Sequence, residues 1–265
     1  MTGDTHGAGA LPLPRMFDLT GKTALITGAG QGLGAEMAAA LAEAGAHLAL
    51  LDRDEATLAE TAATISGAEV LPLTADVTDA AAMEAAVAQT VARFGTLDIV
   101  IPNAGISEAQ PGRLHEMPRE DWDRVTAVNL DGVYNTVRPA LGQMVSQGSG
   151  KVIMIGSMFG IVAAAGIFPR PAYAAAKGAV VSLTRELALE YASLGIQVNA
   201  IIPGFFRTKT RPRSPEHAQQ MADYTPMGRL AEAAEIRGTV VYLASSATDY
   251  MTGNMLVIDG GILAR

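Results

Sequence analysis

The chain has no cysteine among its 265 residues. That excludes a disulfide framework, a thiolate zinc site, an iron–sulfur cluster and a cysteine nucleophile. Histidine is scarce too. His6, His47, His115 and His217 are scattered, with no His-x-x-x-His pair, which argues against a histidine-based metal site. Basic residues are outnumbered, 19 against 27 acidic, for a net charge of −8. Neither nucleic acid nor an anionic membrane surface is therefore an expected partner. No uninterrupted apolar run approaches the roughly 18 residues that a membrane span needs. Met1–Arg15 lacks a basic segment followed by an apolar run, so it does not read as a secretory signal. Its Gly, Ala and Pro content reads as a loose N-terminal tail over residues 1–15, and the expected compartment is the cytoplasm.

What is abundant is apolar surface: 49% hydrophobic residues against 17% charged. Most of it falls in short continuous runs at Thr23–Thr27, His47–Leu51, Glu69–Thr74, Leu97–Ile101, Lys151–Ile155, Ile196–Ile202 and Met255–Ile258. Continuous rather than alternating runs are the mark of parallel strands covered on both faces. Ala-rich helical stretches lie between them, at Gly34–Ala44, Ala56–Ile65, Ala80–Phe94 and Ala172–Tyr191. The alternation predicts a doubly wound α/β fold with one parallel sheet, in a single domain over residues 16–265. Its ligand crevice belongs at the carboxyl ends of the strands. The least patterned stretch, Phe205 to Thr225, is expected to be a long loop serving as a substrate lid.

The first strand runs directly into Thr27-Gly28-Ala29-Gly30-Gln31-Gly32-Leu33-Gly34. Glycines at a strand-to-helix turn let backbone approach a ligand closely, and the helix start presents N–H groups to a pyrophosphate. No Lys-Ser/Thr pair follows, so this is not a nucleotide-triphosphate loop. Asp52 ends the second strand, where a carboxylate can accept both ribose hydroxyls of NAD and repel the 2′-phosphate of NADP. Arg53 is a competing feature, since a guanidinium can pair with that phosphate. Position 31 is Gln, so no second cation supports it, and NAD is the expected cofactor.

Tyr173 and Lys177 are four apart on a candidate helix and share a face. A phenol is a poor base at neutral pH unless a neighbouring cation stabilises its phenolate. The spacing therefore suits an acid/base pair for an alcohol proton.

Together these features resemble the short-chain dehydrogenase/reductase family in its compact single-domain branch, from about Phe17 to Gly261. The resemblance rests on Thr27-Gly28-x-x-x-Gly32-x-Gly34, Asp76-Val77, Asn103-Ala104-Gly105, Asn129, Ser157, Tyr173-x-x-x-Lys177, Pro203-Gly204 and Asp259-Gly260-Gly261. Pro102 stands where the family has the first Asn of Asn-Asn-Ala-Gly, and the second is kept. The resemblance implies a Rossmann-like sheet of seven strands and NAD(P)-dependent hydride transfer. It implies that Asp76 and Val77 hold the adenine, that Asn103, Ala104 and Gly105 line the cofactor channel, and that Lys177 also holds the nicotinamide ribose. Ser157 would bond the substrate oxygen and Asn129 would keep a water behind Lys177. Pro203, Gly204, Phe206 and Thr208 would receive the nicotinamide end.

The family likeness also points to a homotetramer of 222 symmetry. Helices carrying Val125–Met144 and Ala172–Tyr191 would pair in one interface, and Met255–Leu263 would join the second. Ser157 and Tyr173 stand sixteen positions apart, more than is usual, and the extra residues lie in Gly160–Pro171.

The expected activity is interconversion of a secondary alcohol and a ketone, on a sugar acid or polyol. The alternatives are a 3-oxoacyl reductase, a hydroxysteroid-type dehydrogenase, an epimerase or dehydratase on the same fold, and a non-catalytic dinucleotide-binding regulator. Phe205–Ser214 carries Arg207, Lys209, Arg211 and Arg213 with no acid, and Arg170 sits in the other pocket loop. Those cations are expected to draw an anionic substrate, with Arg207 and Arg170 as carboxylate clamps. The segment from Pro203 to Thr208 is similar to the family's sugar-acid branch, gluconate 5-dehydrogenases among them.

Overall fold

Continuous apolar runs become strands, and the central ones are closed off from water on both sides. A computed structural model describes residues 12–163, 169–208 and 214–265. β1 (Thr23–Thr27) is buried at every position. Next to it lies β2 (His47–Asp52), paired in parallel from Thr23 with His47 to Thr27 with Leu51. β3 (Val70–Thr74), β4 (Ile99–Ile101), β5 (Gly150–Ile155) and β6 (Ile196–Pro203) follow along the chain. Two-residue strands β7 (Phe206–Arg207) and β8 (Ala231–Glu232) pair with each other outside the main sheet. β9 (Met255–Ile258) completes it. The main sheet has seven strands, all parallel, in the order β3-β2-β1-β4-β5-β6-β9.

Helices α1 (Leu13–Met16), α2 (Gly32–Glu43), α3 (Glu55–Thr64) and α4 (Ala80–Phe94) cover the first half of the chain. Helices α5 (Arg119–Thr126), α6 (Gly132–Gln147), α7 (Pro171–Tyr191), α8 (Pro215–Tyr224) and α9 (Arg237–Ala244) cover the second. Their ends follow local chemistry. Asp54 and Asp79 accept hydrogen bonds from first-turn amides of α3 and α4. Gly95 ends α4 at φ +81°, a conformation other residues adopt only with strain.

One face of the sheet packs on α4, α6 and α7 through Met83, Val137 and Val180. The other packs on α2 and α9 through Met37, Leu41, Val240 and Leu243. Leu25, Ile26, Leu48 and Leu50 are almost wholly covered. Each such side chain contributes on the order of 1.5–3 kcal/mol. One sheet carries both apolar layers, so the fold is a single doubly wound, Rossmann-like domain. β1 and β4 are neighbours, although the chain leaves β1 toward β2 and β3 before returning to β4. The loops after β1 and β4 therefore part company, and a crevice opens at the carboxyl ends of the strands.

Three expectations change. Val125–Met144, read as one helix, is α5 and α6 joined by a single π turn at Ala127–Asp131. Such a wide turn inserts a residue, and here the buried Asn129 lies within it. The long loop of Phe205–Thr225 is half helix, because Ser214 caps α8 and Pro215 opens it. In the stretch read as a tail, Leu13–Met16 form a short helix, while residues 1–11 lie outside the described residues.

Candidate active site

The crevice holds a cleft of about 460 Å³. At one end is the glycine turn. Gly28 has φ +64°, and a Cβ on it would lie 2.8 Å from the Ala104 Cα. A Cβ on Gly34 would lie 2.1 Å from the Gly28 carbonyl oxygen. Any other residue at either position would push the turn off the strand. Asn103 ties the turn down, donating from Nδ2 to the carbonyls of Thr27 at 2.9 Å and Gly28 at 3.0 Å. The Thr27 hydroxyl accepts from the amides of Asn103 and Ala104, each at 3.1 Å.

Where α3, α4 and α8 are capped by their own side chains, α2 is not: Gln31 stands at its start without a capping bond. Its first turn offers amide donors and a positive dipole end to the cleft, and holds no acidic residue of its own. This is the chemistry that a pyrophosphate needs. Gln31, Gly32, Leu33 and Gly34 all line the cleft.

Asp52, at the end of β2, faces the same space. Its carboxylate accepts from the Gly30 amide at 2.9 Å and the Asp54 amide at 3.1 Å. Arg53, Asp76 and Val77 complete that wall. The Thr78 backbone N–H, and then its hydroxyl, hold Asp76 below the usual carboxylate range against the opposing effect of burial; Arg53 adds to the lowering. A nicotinamide dinucleotide would fit this donor set, its phosphates held by the α2 start and a ribose by Asp52.

The other end carries the polar side chains. Ser157 follows β5, is buried, and accepts from the Phe159 amide at 3.2 Å, which leaves its hydroxyl hydrogen free to donate. Tyr173 and Lys177 face the cleft from the first two turns of α7. Lys177 is buried and donates to the carbonyl of Ile155, the last residue of β5, at 2.8 Å. Its ammonium lies 6.0 Å from the centre of the Tyr173 ring. Asn129 stands behind the wall, fully buried. Its Oδ1 accepts from the Ile106 amide and its Nδ2 donates to the Ile106 carbonyl, both at 2.8 Å. A Cβ built on Gly105 would lie 3.5 Å from Asn129 Oδ1 and 3.7 Å from Lys177 Nζ, so the three residues crowd one spot.

Pro203, Gly204, Phe206 and Thr208 line the cleft beyond β6. Asp259 accepts from the amides of Gly261 at 2.8 Å and Leu263 at 2.7 Å, and the Gly204 backbone fits tightly against it. Every residue singled out for the cofactor, from Gly28 to Thr208, thus borders one space, and Ser157 joins them.

The two arginines do not. Arg207 is more than half exposed, and its Nε pairs with Glu232 Oε1 at 3.1 Å across the β7–β8 ladder. On β7 Phe206 is buried and Arg207 faces away. Arg170 Nη1 lies 3.7 Å from Glu108 Oε2 and donates to the Glu108 carbonyl at 2.9 Å and to the Ser107 hydroxyl. Neither borders the cleft, because each guanidinium is drawn to a carboxylate that lies distant in sequence. The two guanidiniums expected to clamp a carboxylate are thus engaged with Glu108 and Glu232 in this structure. Lys209, Arg211 and Arg213 lie outside the described residues, as does 164–168 of the long loop before α7. Glu108 and Ile106 were not singled out from the sequence; a lone acid in an irregular loop carries no signal of its partners.

A glycine-turned dinucleotide cleft closed by Ser, Tyr and Lys defines a class of nicotinamide-dependent oxidoreductases. Comparisons with known proteins give the family. A family model described as "Enoyl-(Acyl carrier protein) reductase" matches residues 28–263. The chain is 42% identical over 253 residues to galactitol 2-dehydrogenase (L-tagatose-forming) of Cereibacter sphaeroides, covering 93% of this chain and 96% of that one. Among solved structures, it resembles a gluconate 5-dehydrogenase from Burkholderia cenocepacia J2315 in complex with NADP and tartrate. There the TM-score is 0.88 at 35% identity, over 95% of this chain and 99% of that one. It also resembles an NAD+-bound xylitol dehydrogenase, with TM-score 0.85 at 32% identity over 92% and 99%.

The chain belongs to the short-chain dehydrogenase/reductase family. It is an alcohol dehydrogenase/reductase that works on a small molecule with a nicotinamide dinucleotide. No helix among the described residues is long and apolar enough to cross a membrane.

Proposed function

We propose that this enzyme oxidises a secondary hydroxyl of a polyol or sugar acid to the ketone, with NAD as acceptor, and runs the reverse reduction. The observation that carries the reading is one cleft bordered by the uncapped α2 start, Asp52, Ser157, Tyr173 and Lys177. When bound, the dinucleotide supplies the two-electron acceptor or donor. Tyr173 takes the hydroxyl proton in oxidation and returns it in reduction. Ser157, whose hydrogen is free, orients the substrate oxygen. Lys177, fixed by the Ile155 carbonyl, places beside the phenol the positive charge that a phenolate needs, and reaches the nicotinamide ribose. Asn129 anchors the Ile106 backbone and the water path assigned behind Lys177. Asp76, Val77, Asn103, Ala104, Gly105, Pro203, Gly204, Phe206 and Thr208 seat the cofactor.

Asp52 supports NAD over NADP, since a 2′-phosphate beside it would meet a carboxylate already fixed by two amides. Arg53 is the competing feature, and related structures hold one cofactor or the other. The galactitol enzyme's similarity supports a polyol. The engagement of Arg170 and Arg207 elsewhere weakens the case for a carboxylate-bearing substrate. A 3-oxoacyl or hydroxysteroid substrate remains the alternative within the class. A silent dinucleotide-binding regulator is disfavoured by the intact Ser157, Tyr173 and Lys177. Tyr134 on α6, Leu189 on α7 and Val257 on β9 are large, apolar and exposed. They support a homotetramer joined through those elements. The test is NAD and NADP reduction across galactitol, other polyols, sugar acids, hydroxy acids and hydroxysteroids. Turnover of hydroxysteroids or hydroxyacyl thioesters alone would replace the substrate reading.

A further inference from the structure

Glu108 lies three residues beyond the Asn103–Gly105 turn, and its side chain has no exposed surface. A carboxylate pays heavily for such burial unless every oxygen finds a partner. Oε1 accepts a 3.0 Å bond from the backbone N–H of Tyr173, and Oε2 accepts from the Ser107 hydroxyl at 2.9 Å. Arg170 balances the charge from 3.7 Å.

Tyr173 is the third residue of α7, a helix whose own N-cap residue makes no capping bond and whose first residue is Pro171. The amide of that first turn would be an orphan. Its acceptor comes instead from a residue 65 positions away in the chain. Glu108 belongs to the same short loop that Asn129 grips at Ile106. The loop is thus fixed at one end to the π turn and at the other to the turn that bears the phenol.

We propose that Glu108 is a positioning residue for Tyr173. Its Oε1 holds the first turn of α7, and so the phenol oxygen, in place relative to the cleft. The reach of the side chain matters, while its charge serves only to satisfy Arg170. This rests on Tyr173 being the acid/base.

The test compares Glu108→Asp, Glu108→Gln and Glu108→Ala with Tyr173→Phe in the full-length enzyme. For each, kcat and KM for a polyol substrate and Kd for NAD are measured. Asp keeps the charge and loses one methylene of reach; Gln keeps the reach and an acceptor oxygen but loses the charge. The expected result is that Asp and Ala lose kcat by about 10²-fold, as a small misplacement of a reacting group does. NAD affinity and KM should stay near wild type, and Gln should retain most of its kcat. Retained NAD binding shows that the cleft is folded; should Ala fail to fold, the Asp and Gln pair still decides. Wild-type kcat in Asp or Ala, a Gln variant as impaired as Asp, or a parallel loss of kcat and NAD affinity in all three overturns the proposal. Near-normal turnover of Tyr173→Phe would instead overturn the acid/base reading, so the two failures are distinct.

Discussion

Asn129 and Ile106 face each other as an amide pair: the side chain of one completes both hydrogen bonds of the other's backbone, at 2.8 Å each. Asn129 is fully buried and Ile106 half-buried, and the pair joins the π turn between α5 and α6 to the loop that borders the cleft after β4. Asn129→Ala leaves the part-buried N–H and carbonyl of Ile106 without their partner. An unsatisfied buried group costs roughly 1–3 kcal/mol. The variant should therefore unfold at lower denaturant and lose kcat while still binding NAD. Unchanged stability in urea titration would show that the pair contributes nothing.

Asp52 accepts from Gly30 and Asp54, so it shapes the turn as well as facing the cleft. Asp52→Ala should weaken NAD use and narrow the preference over NADP by roughly 10-fold, the scale of one hydrogen bond to a charged group. The check is the ratio of kcat/KM for the two cofactors. A wild-type enzyme that favours NADP would transfer the discriminating role to Arg53.

Arg207 pairs with Glu232 at the surface, and both are more than half exposed. Exposed pairs are worth about 0–1 kcal/mol. Arg207→Ala should change stability little and should leave the KM ratio of a sugar acid to its neutral polyol within about two-fold, far below the tenfold that 1.4 kcal/mol represents. A rise confined to the sugar acid would bring this side chain back to the substrate.

Asp76 gives a pH dependence with a definite sign. Its folded pKa is lowered, chiefly by the Thr78 backbone N–H and next by the Thr78 hydroxyl. A lowered carboxylate contributes stability that is fully present above the ordinary carboxylate pKa and is lost as pH falls through the folded value. Thr78→Val removes the hydroxyl and keeps the amide. The variant should be less stable than wild type at neutral pH, and the gap should close in acid. Unfolding titrations at neutral pH and near pH 3 read this; a gap that widens in acid would reverse the assignment.

Much of this was legible in sequence because its causes are local. β1, β9 and α4 begin and end where the apolar runs, Asp79 and Gly95 say they should. The cleft-lining set was legible because its turns, strand ends and Tyr-x-x-x-Lys spacing are each short-range patterns placed on a regular fold. What was not legible depends on partners far along the chain. The π turn is invisible in a helix-like stretch until Ile106 meets Asn129. The fates of Arg207 and Arg170 are decided by Glu232 and Glu108, which no count of cations in a loop can find. The lid reading passed over a local cue, Ser214 followed by Pro215, that opens α8.

The most direct test of the account is a product-resolved assay of NAD reduction with a polyol panel, run on wild type and Tyr173→Phe. The account predicts that wild type forms one ketone for each NAD reduced. Tyr173→Phe should bind NAD normally and lose turnover by roughly 10²–10⁴-fold, the usual worth of a general acid/base. Near-normal turnover in the variant, or NAD binding by wild type with no turnover of any secondary alcohol or ketone, would contradict it.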